Sequence, residues 1–216
     1  MSTSGDSLME EQDLFQNQGG GSIPTSPLQL ILVETNEQKQ RVKTIIEQHH
    51  SYVPTSKSVG RRIDWLIEMD GKNIGMIGVG SSTYPPSKAM LLYLDITKEE
   101  YRRKFNTLAN NWRFCLTVKS IRNLGTQILR LFRTRAKEEW ERKYGDELQY
   151  LITFVGGGNT GAVYKADNWE FVGKTAGLPK HRSLSMKWDT AKELKQKFVK
   201  PTGIDRKLIF MKKLKK

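Results

Sequence analysis

One order of segments, between Arg113 and Thr175, constrains this chain more than any other feature. The apolar run Arg113–Val118 (RFCLTV) leads into a long helical pattern over Ile121–Tyr144, and a β-branched strand over Leu148–Val155 then stops at three glycines, Gly156 to Gly158. A short helix over Thr160–Asp167 and an aromatic strand over Trp169–Thr175 complete the run. In the long segment Leu124, Ile128, Phe132, Ala136, Trp140 and Tyr144 recur every four residues with Leu131 beside them, the buried stripe of an amphipathic helix. Two strands joined through such a helix lie parallel in one sheet. The order predicts an α/β domain with a mixed central sheet flanked by helices. A helix opening directly behind a strand presents free N–H groups and a positive dipole end to a phosphate. Ser120, Arg122 and the segment Asn123 to Gly125 would line that spot.

The segments before and after supply the rest of the sheet. Leu28–Val33 reads as a short buried strand and Asn36–His50 as a helix with Val42, Ile45 and Ile46 on one face. Pro54 forbids helical continuation, so His49, His50 and Tyr52 fall in a polar loop. Adjacent histidines diverge on a helix and make no metal motif by spacing. Arg61–Met69 alternates as a half-buried strand, Asp70-Gly71 is a two-residue hairpin signal, and Lys72–Gly80 returns as its partner. Gly75, Gly78 and Gly80 in that return strand point to a bulge or a close backbone approach. Ala89–Ile96 reads as a further strand, and Thr97–Asn111 as a helix capped by Thr97 with Glu99 and Glu100 in its first turn. Beyond Thr175 follow a short strand over Ser183–Trp188, a basic helix over Thr190–Lys200 and a last strand over Lys207–Leu214.

Charge narrows the partner. The chain carries 36 Lys and Arg against 23 Asp and Glu, a net +13, but residues 1–27 hold four acids and no base, which leaves residues 28–216 at +17. The acidic, Gly- and Ser-rich stretch 1–27 lacks hydrophobic periodicity and reads as a disordered tail; residues 28–216 form one domain. A basic body suits a polyanion, DNA or RNA. Basic side chains crowd the long helix, and ten more Lys and Arg lie from Lys192 onward. No apolar run reaches the ~18 residues of a membrane span, so no membrane partner is expected. Cys115 is the one cysteine and sits inside an apolar run, which excludes a disulfide framework and fits a reducing cytoplasm.

The segment order resembles the GNAT N-acyltransferase superfamily, whose strand–loop–helix unit binds the acyl-CoA pyrophosphate and whose next short helix carries a Tyr acting as general acid. Asn159, Tyr164 and the run Trp169-Glu-Phe171-Val-Gly173 are similar to that superfamily's ending, and Tyr164 takes the place of the Tyr. The pyrophosphate turn departs from the pattern, since Arg122-Asn-Leu-Gly125-Thr126-Gln127 supplies only part of an Arg/Gln-x-x-Gly-x-Gly/Ala loop.

A tighter resemblance runs from Ile45 to Thr175 and again over the last strand. GAVYKADNWEFVGKTAG is similar to a segment shared by the phage Mom family, acyltransferase-like enzymes that modify adenine in DNA, and by the DruA family of the Druantia anti-phage system. RFCLTV, the helix after it with Glu139-Trp140, and Thr153-Phe154-Val155 resemble DruA more closely. His50 with Tyr52 resembles the His-Tyr motif of both groups.

The resemblance implies Tyr164, Arg113, His50 and Tyr52 as catalytic candidates. It implies Asn123, Thr126, Thr153 and Asn168, beside Ser120, Arg122 and Gly125, as the binding set for a small-molecule group donor. Trp169 is the candidate stacking surface for an extruded base, and Arg130, Arg133 and Lys174 are candidate phosphate contacts. Acyl-CoA is the superfamily's donor; another donor, or a metal assisted by His, stays open. Both groups place an Asp directly after the Thr153 strand, where this chain has Gly156. Three functions follow: a transferase acting on a base amine in DNA, a DruA-like nucleic-acid-binding module without catalysis, and a generic N-acyltransferase.

Overall fold

The computed structural model describes residues 27–49, 60–118, 121–176, 178–179 and 204–215. The elements, in chain order, are β1 (Gln29–Leu32), α1 (Asn36–His49), β2 (Arg62–Met69), β3 (Lys72–Ser81), α2 (Lys88–Leu94), α3 (Lys98–Arg103), β4 (Leu108–Leu116), α4 (Leu124–Tyr144), β5 (Tyr150–Val155), α5 (Ala162–Ala166), β6 (Glu170–Lys174), β7 (Leu178–Pro179), β8 (Ile204–Asp205) and β9 (Leu208–Lys213). Seven strands make one sheet in the order β1-β2-β3-β4-β5-β9-β6, while β7 and β8 pair separately. Every pairing in the sheet is antiparallel except β4 with β5, the two strands joined through α4. This is the mixed α/β sheet expected from the sequence. The last strand, β9, pairs inward between β5 and β6 and is no edge strand.

The hairpin between β2 and β3 turns on Asp70 and Gly71, both at positive φ (53° and 72°), the conformation that an Asp-Gly turn supplies. α4 stops at Gly145, whose φ of 72° lets its N–H reach the Glu141 carbonyl. On one face of the sheet α4 buries Leu124, Ile128, Leu129, Phe132, Ala136 and Trp140 over Trp65, Ile77 and Leu151. Phe132 meets Trp65 edge-on, with centroids 5.8 Å apart, and burying a side chain of this size contributes about 1.5–3 kcal/mol. On the other face α1 packs Val42, Ile45 and Ile46 on Leu66, Met76 and Cys115, and α2 and α3 pack Met90 and Tyr101 on Leu108, Ile152 and Ile209.

Four sequence expectations need correction. Ala89–Ile96 is not a strand: Lys88–Leu94 is helical, with the Ser87 side chain accepting from the Met90 N–H and Asp95 closing it at φ 51°. The helix capped by Thr97 ends at Arg103, after a full capping box with Glu100. Residues from Leu108 onward already belong to β4, so that strand starts five residues before Arg113. In α4 the inner neighbour of the stripe is Leu129; Leu131 is exposed and Tyr144 only half-buried. No described helix is long and apolar enough to cross a membrane.

Candidate active-site cleft

β4 and β5 pair for three residues only, Leu108 to Asn110 against Tyr150 to Ile152, and then separate. At the point of separation β4 also bulges. Gly78 of β3 faces Arg113 and Val79 faces Asn111, which leaves Trp112 as the extra residue. The glycines of β3 make the bulge possible: a Cβ on Gly78 would lie 2.3 Å from both the Asp64 carboxylate and the Trp112 indole nitrogen. Those two groups hydrogen-bond to each other across that space at 2.9 Å.

Asn111 secures the bulge from within. It is buried, and its amide nitrogen donates to the carbonyls of Gly78 (2.9 Å) and Arg113 (3.0 Å). With both amide hydrogens so placed, its oxygen is left as acceptor for the Tyr164 hydroxyl at 2.7 Å. Tyr164, on α5, is 7% exposed and packs against Trp169 and Phe210. The Thr153 hydroxyl donates to the Asn111 carbonyl at 3.5 Å, so three sequence-stretches converge where the strands part.

A cavity of about 390 Å³ occupies the gap. Consecutive residues of β4 from Asn111 to Leu116, and Thr153 to Val155 of β5, all line it, together with His49 and the turn into α5. Successive side chains on a strand point to opposite faces, so residues of both facings border the gap where the two strands part. The Thr117 N–H bonds back to Ile74 of β3. By the alternation of an antiparallel ladder, Phe114 and Leu116 therefore turn their N–H and C=O groups toward the gap.

The cleft brings together Arg113, Thr153 and Tyr164 of the expected site, and it adds His49, Asn111 and Trp112. His49 was legible in principle, because it lies four residues after Ile45 and three after Ile46 on that helix, although the same spacing from Ile46 also reaches His50. His50, Tyr52 and Ser120 lie outside the described residues. The Arg113 guanidinium donates to the Trp112 carbonyl at 2.7 Å and sits 4.8 Å from the indole centroid. Burial pushes the Cys115 thiol up to about 11, with Arg113 pulling weakly the other way, so this cleft-lining sulfur is a thiol and not a nucleophilic thiolate. No carboxylate is among the described residues that line the cleft, and no described cluster of His, Cys, Asp or Glu could hold a metal.

The start of α4 differs from the expected phosphate loop. The helix begins at Leu124, and Asn123 takes the cap position at φ 60° with no side-chain cap bond. Thr126 turns its hydroxyl back to the Asn123 carbonyl at 2.8 Å, and Arg122 is exposed. Gly125 serves packing, since a Cβ there would come within 2.4 Å of Val163 on α5, a residue that lines the cleft.

The remaining candidates are structural or remote. Trp169 is 4% exposed, with its indole nitrogen donating to Asp167 at 2.9 Å, and a buried ring cannot stack on a base. Arg133 forms an ion pair with the same buried Asp167 carboxylate. Asn168, at φ 57°, ends α5 in the left-handed conformation, and its carbonyl accepts from Lys212. Arg130 and Lys174 are exposed on α4 and β6, away from the residues lining the cleft.

The family model described as Druantia protein DruA matches residues 11–207, nearly the whole chain. This chain belongs to the DruA family. No curated protein matches it. Among solved structures, this DruA-family chain is similar to FeeM, an N-acyl amino acid synthase from uncultured soil microbes, with a TM-score of 0.51 at 9% identity over 87% of this chain and 90% of that one. It is similar to an acetyltransferase from Bacillus subtilis solved in complex with CoA (TM-score 0.51, 9% identity, 86% and 99% covered). An N-acetyltransferase from Staphylococcus aureus Mu50 gives 0.50 at 10% identity over 88% and 100%. At such identities the likeness establishes the fold, that of the GNAT N-acyltransferases.

Proposed function

We propose that this DruA-family chain is an acyltransferase-like group transferase that modifies a base amine in DNA. The observation that carries the reading is the cleft that opens where β4 and β5 separate. A gap where two parallel strands part exposes backbone and side chains of both at one point, where a donor and an acceptor can be held together for direct transfer. Cys115, held as a thiol, offers no covalent way-station.

An acyl-CoA donor fits what the cleft presents. The backbone edge at Phe114 and Leu116 suits an extended amide-bearing arm. The N–H groups of the first turn of α4, uncapped by Asn123, suit a pyrophosphate. Bound there, such a donor supplies an acyl group activated as a thioester. The chain's own residues then handle protons and charge. His49, the imidazole among the described lining residues, accepts the proton of an incoming amine. Arg113 and the backbone at the Trp112 bulge stabilise developing negative charge. Tyr164 is the proton donor to a leaving group, once its hydroxyl turns from Asn111 toward the cleft.

A second reading, a DNA-binding module without catalysis, has a specific observation in its favour. The Tyr164 hydroxyl hydrogen is committed to Asn111, and the position where related chains carry an Asp is the buried Gly156. Nucleoside mass spectrometry on DNA and RNA from cells expressing the chain, beside His49→Ala and Tyr164→Phe, tests the two. A modified nucleoside that disappears in folded variants establishes the transferase. An unchanged profile, with DNA binding retained by the purified protein, establishes the binding module.

A further inference from the structure

We propose that a second cavity, linked to the cleft through the stacking of Arg62 on Trp112, is the track that holds the phosphodiester backbone of the DNA acceptor. The inference rests on DNA being the partner, and its test separates the two. The groove, of about 710 Å³, runs between α1 and the C-terminal part of α4, above the ends of β1 and β2. Five cations line it: Lys39 and Lys43 from α1, Arg62 from β2, Arg142 and Lys143 from α4.

Three carboxylates also line the groove, and two are already engaged. Asp64 holds Arg62 at 2.6 Å and the Trp112 indole. Glu139 holds Arg142 at 2.5 Å and Arg135 at 3.7 Å. Lys39, Lys43 and Lys143 form no salt bridge among the described residues. Lys39 and Lys43 stand four apart on one helix face, where like charges repel. Across the groove the Lys143 ammonium is anchored to the Arg62 carbonyl at 3.1 Å. Against these three ammonium groups stands the third lining carboxylate, Glu34, likewise without a salt bridge among the described residues. The described lining of the groove thus holds five cations and three carboxylates, a net positive concavity. A run of phosphates answers that arrangement, because phosphodiesters bring charge at regular spacing while their bases stay free.

The position of the groove ties it to the chemistry. Arg62 stacks 3.9 Å from the centroid of the Trp112 indole, and Arg113 of the cleft lies 4.8 Å from the same centroid. Groove and cleft are therefore linked through Trp112, a cleft-lining residue whose indole Arg62 of the groove also stacks on. A strand held by its phosphates on the groove side has an extruded base beside the cleft mouth. The exposed pair Arg130 and Lys174 has no such relation to the cleft.

The test is fluorescence anisotropy of a labelled DNA duplex and its single strand against the purified full chain over a salt series. The groove variant combines Lys39→Glu, Lys43→Glu and Lys143→Glu, all exposed positions, with a Lys→Gln triple as the milder form should charge reversal unfold the chain. The comparator combines Arg130→Glu and Lys174→Glu. The groove variant is expected to bind about tenfold or more weakly at low salt, with a log K against log salt slope shallower by about 2–3, while the comparator matches the wild type. Unchanged affinity and slope in both folded groove variants, with DNA still bound by the wild type, overturns the groove alone. Failure of the wild type to bind DNA at low salt overturns the partner itself and the groove with it.

Discussion

The Tyr164 hydroxyl donates to the Asn111 side-chain oxygen at 2.7 Å, and that bond fastens the short helix α5 to the bulge of β4. Asn111 is held in place when that bond is lost, since its amide is also tied to Gly78 and Arg113. Tyr164→Phe keeps the ring packing and strands a buried oxygen, which costs about 1–3 kcal/mol. The expected outcome is a folded variant whose melting point falls by several degrees. An unchanged melting point would show that water or a neighbour replaces the phenol.

Gly78 and Gly80 lie two apart on β3 beneath the same indole, yet they should respond differently to a methyl group. A Cβ at Gly78 collides with Asp64 and Trp112 at 2.3 Å, whereas at Gly80 the nearest atom is the Arg61 carbonyl at 3.2 Å. Gly78→Ala is expected to cost about 1–3 kcal/mol through displacement of the bulge, and Gly80→Ala clearly less. Urea denaturation of the two variants measures the difference.

Gly125→Ala sets helix propensity against packing. Inside a helix Ala is better than Gly by about 1 kcal/mol, but here the methyl meets Val163 at 2.4 Å. The single variant is expected to be destabilised, and adding Val163→Ala should recover part of the loss. A double-mutant cycle by thermal denaturation reads that coupling directly.

Arg133→Ala removes the partner of the buried Asp167 carboxylate, which also holds Trp169. Because the arginine is partly solvated, the expected loss is about 2–3 kcal/mol, near the lower end for breaking a buried pair. Its DNA affinity, measured below the melting transition, should stay that of the wild type, since this arginine is a structural strut.

Asp64 gives the fold a pH dependence. Burial raises its carboxyl above the usual aspartate range, against the opposing pull of Arg62, the Trp112 hydrogen bond and Lys143. The folded state thus binds the proton more tightly than the unfolded chain. Its contribution is fully present below the unfolded-state pKa and is lost as pH rises through the folded one. Asp64→Asn, which retains an acceptor for the indole, is expected to flatten this fall in melting point on the rise from about pH 4. A fall of equal depth in the variant would assign it to other groups.

Where sequence patterns matched the structure, local chemistry was decisive. The Asp70-Gly71 turn, the Thr97–Glu100 capping box and the four-residue recurrence along α4 all reappear as expected. The segment Ala-Met-Leu-Leu-Tyr-Leu was misread because a short apolar run has the same appearance as strand or helix; the Ser87 cap was the clue. Leu131 lost its place to Leu129 because at about 100° per residue each four-residue step drifts by about 40°, so the stripe moves toward Ala136 and Trp140, which flank Leu129 and not Leu131 on the inner face. Tyr164, Arg113 and Thr153 could be named from the sequence. Asn111 could not, since its role depends on a bulge that only the β3–β4 register reveals. Trp169 illustrates the reverse error, an aromatic taken for a contact surface whose indole is buried against Asp167.

The placement of β9 between β5 and β6 also sets an order of events during synthesis. When a ribosome has released β6, the strand that links it to the sheet has yet to be made. The nascent chain must therefore carry β5 and β6 with unpaired edges until residues 208–213 emerge. Chaperone protection would matter most in that interval, and the half of the domain that closes last is the half that carries Tyr164.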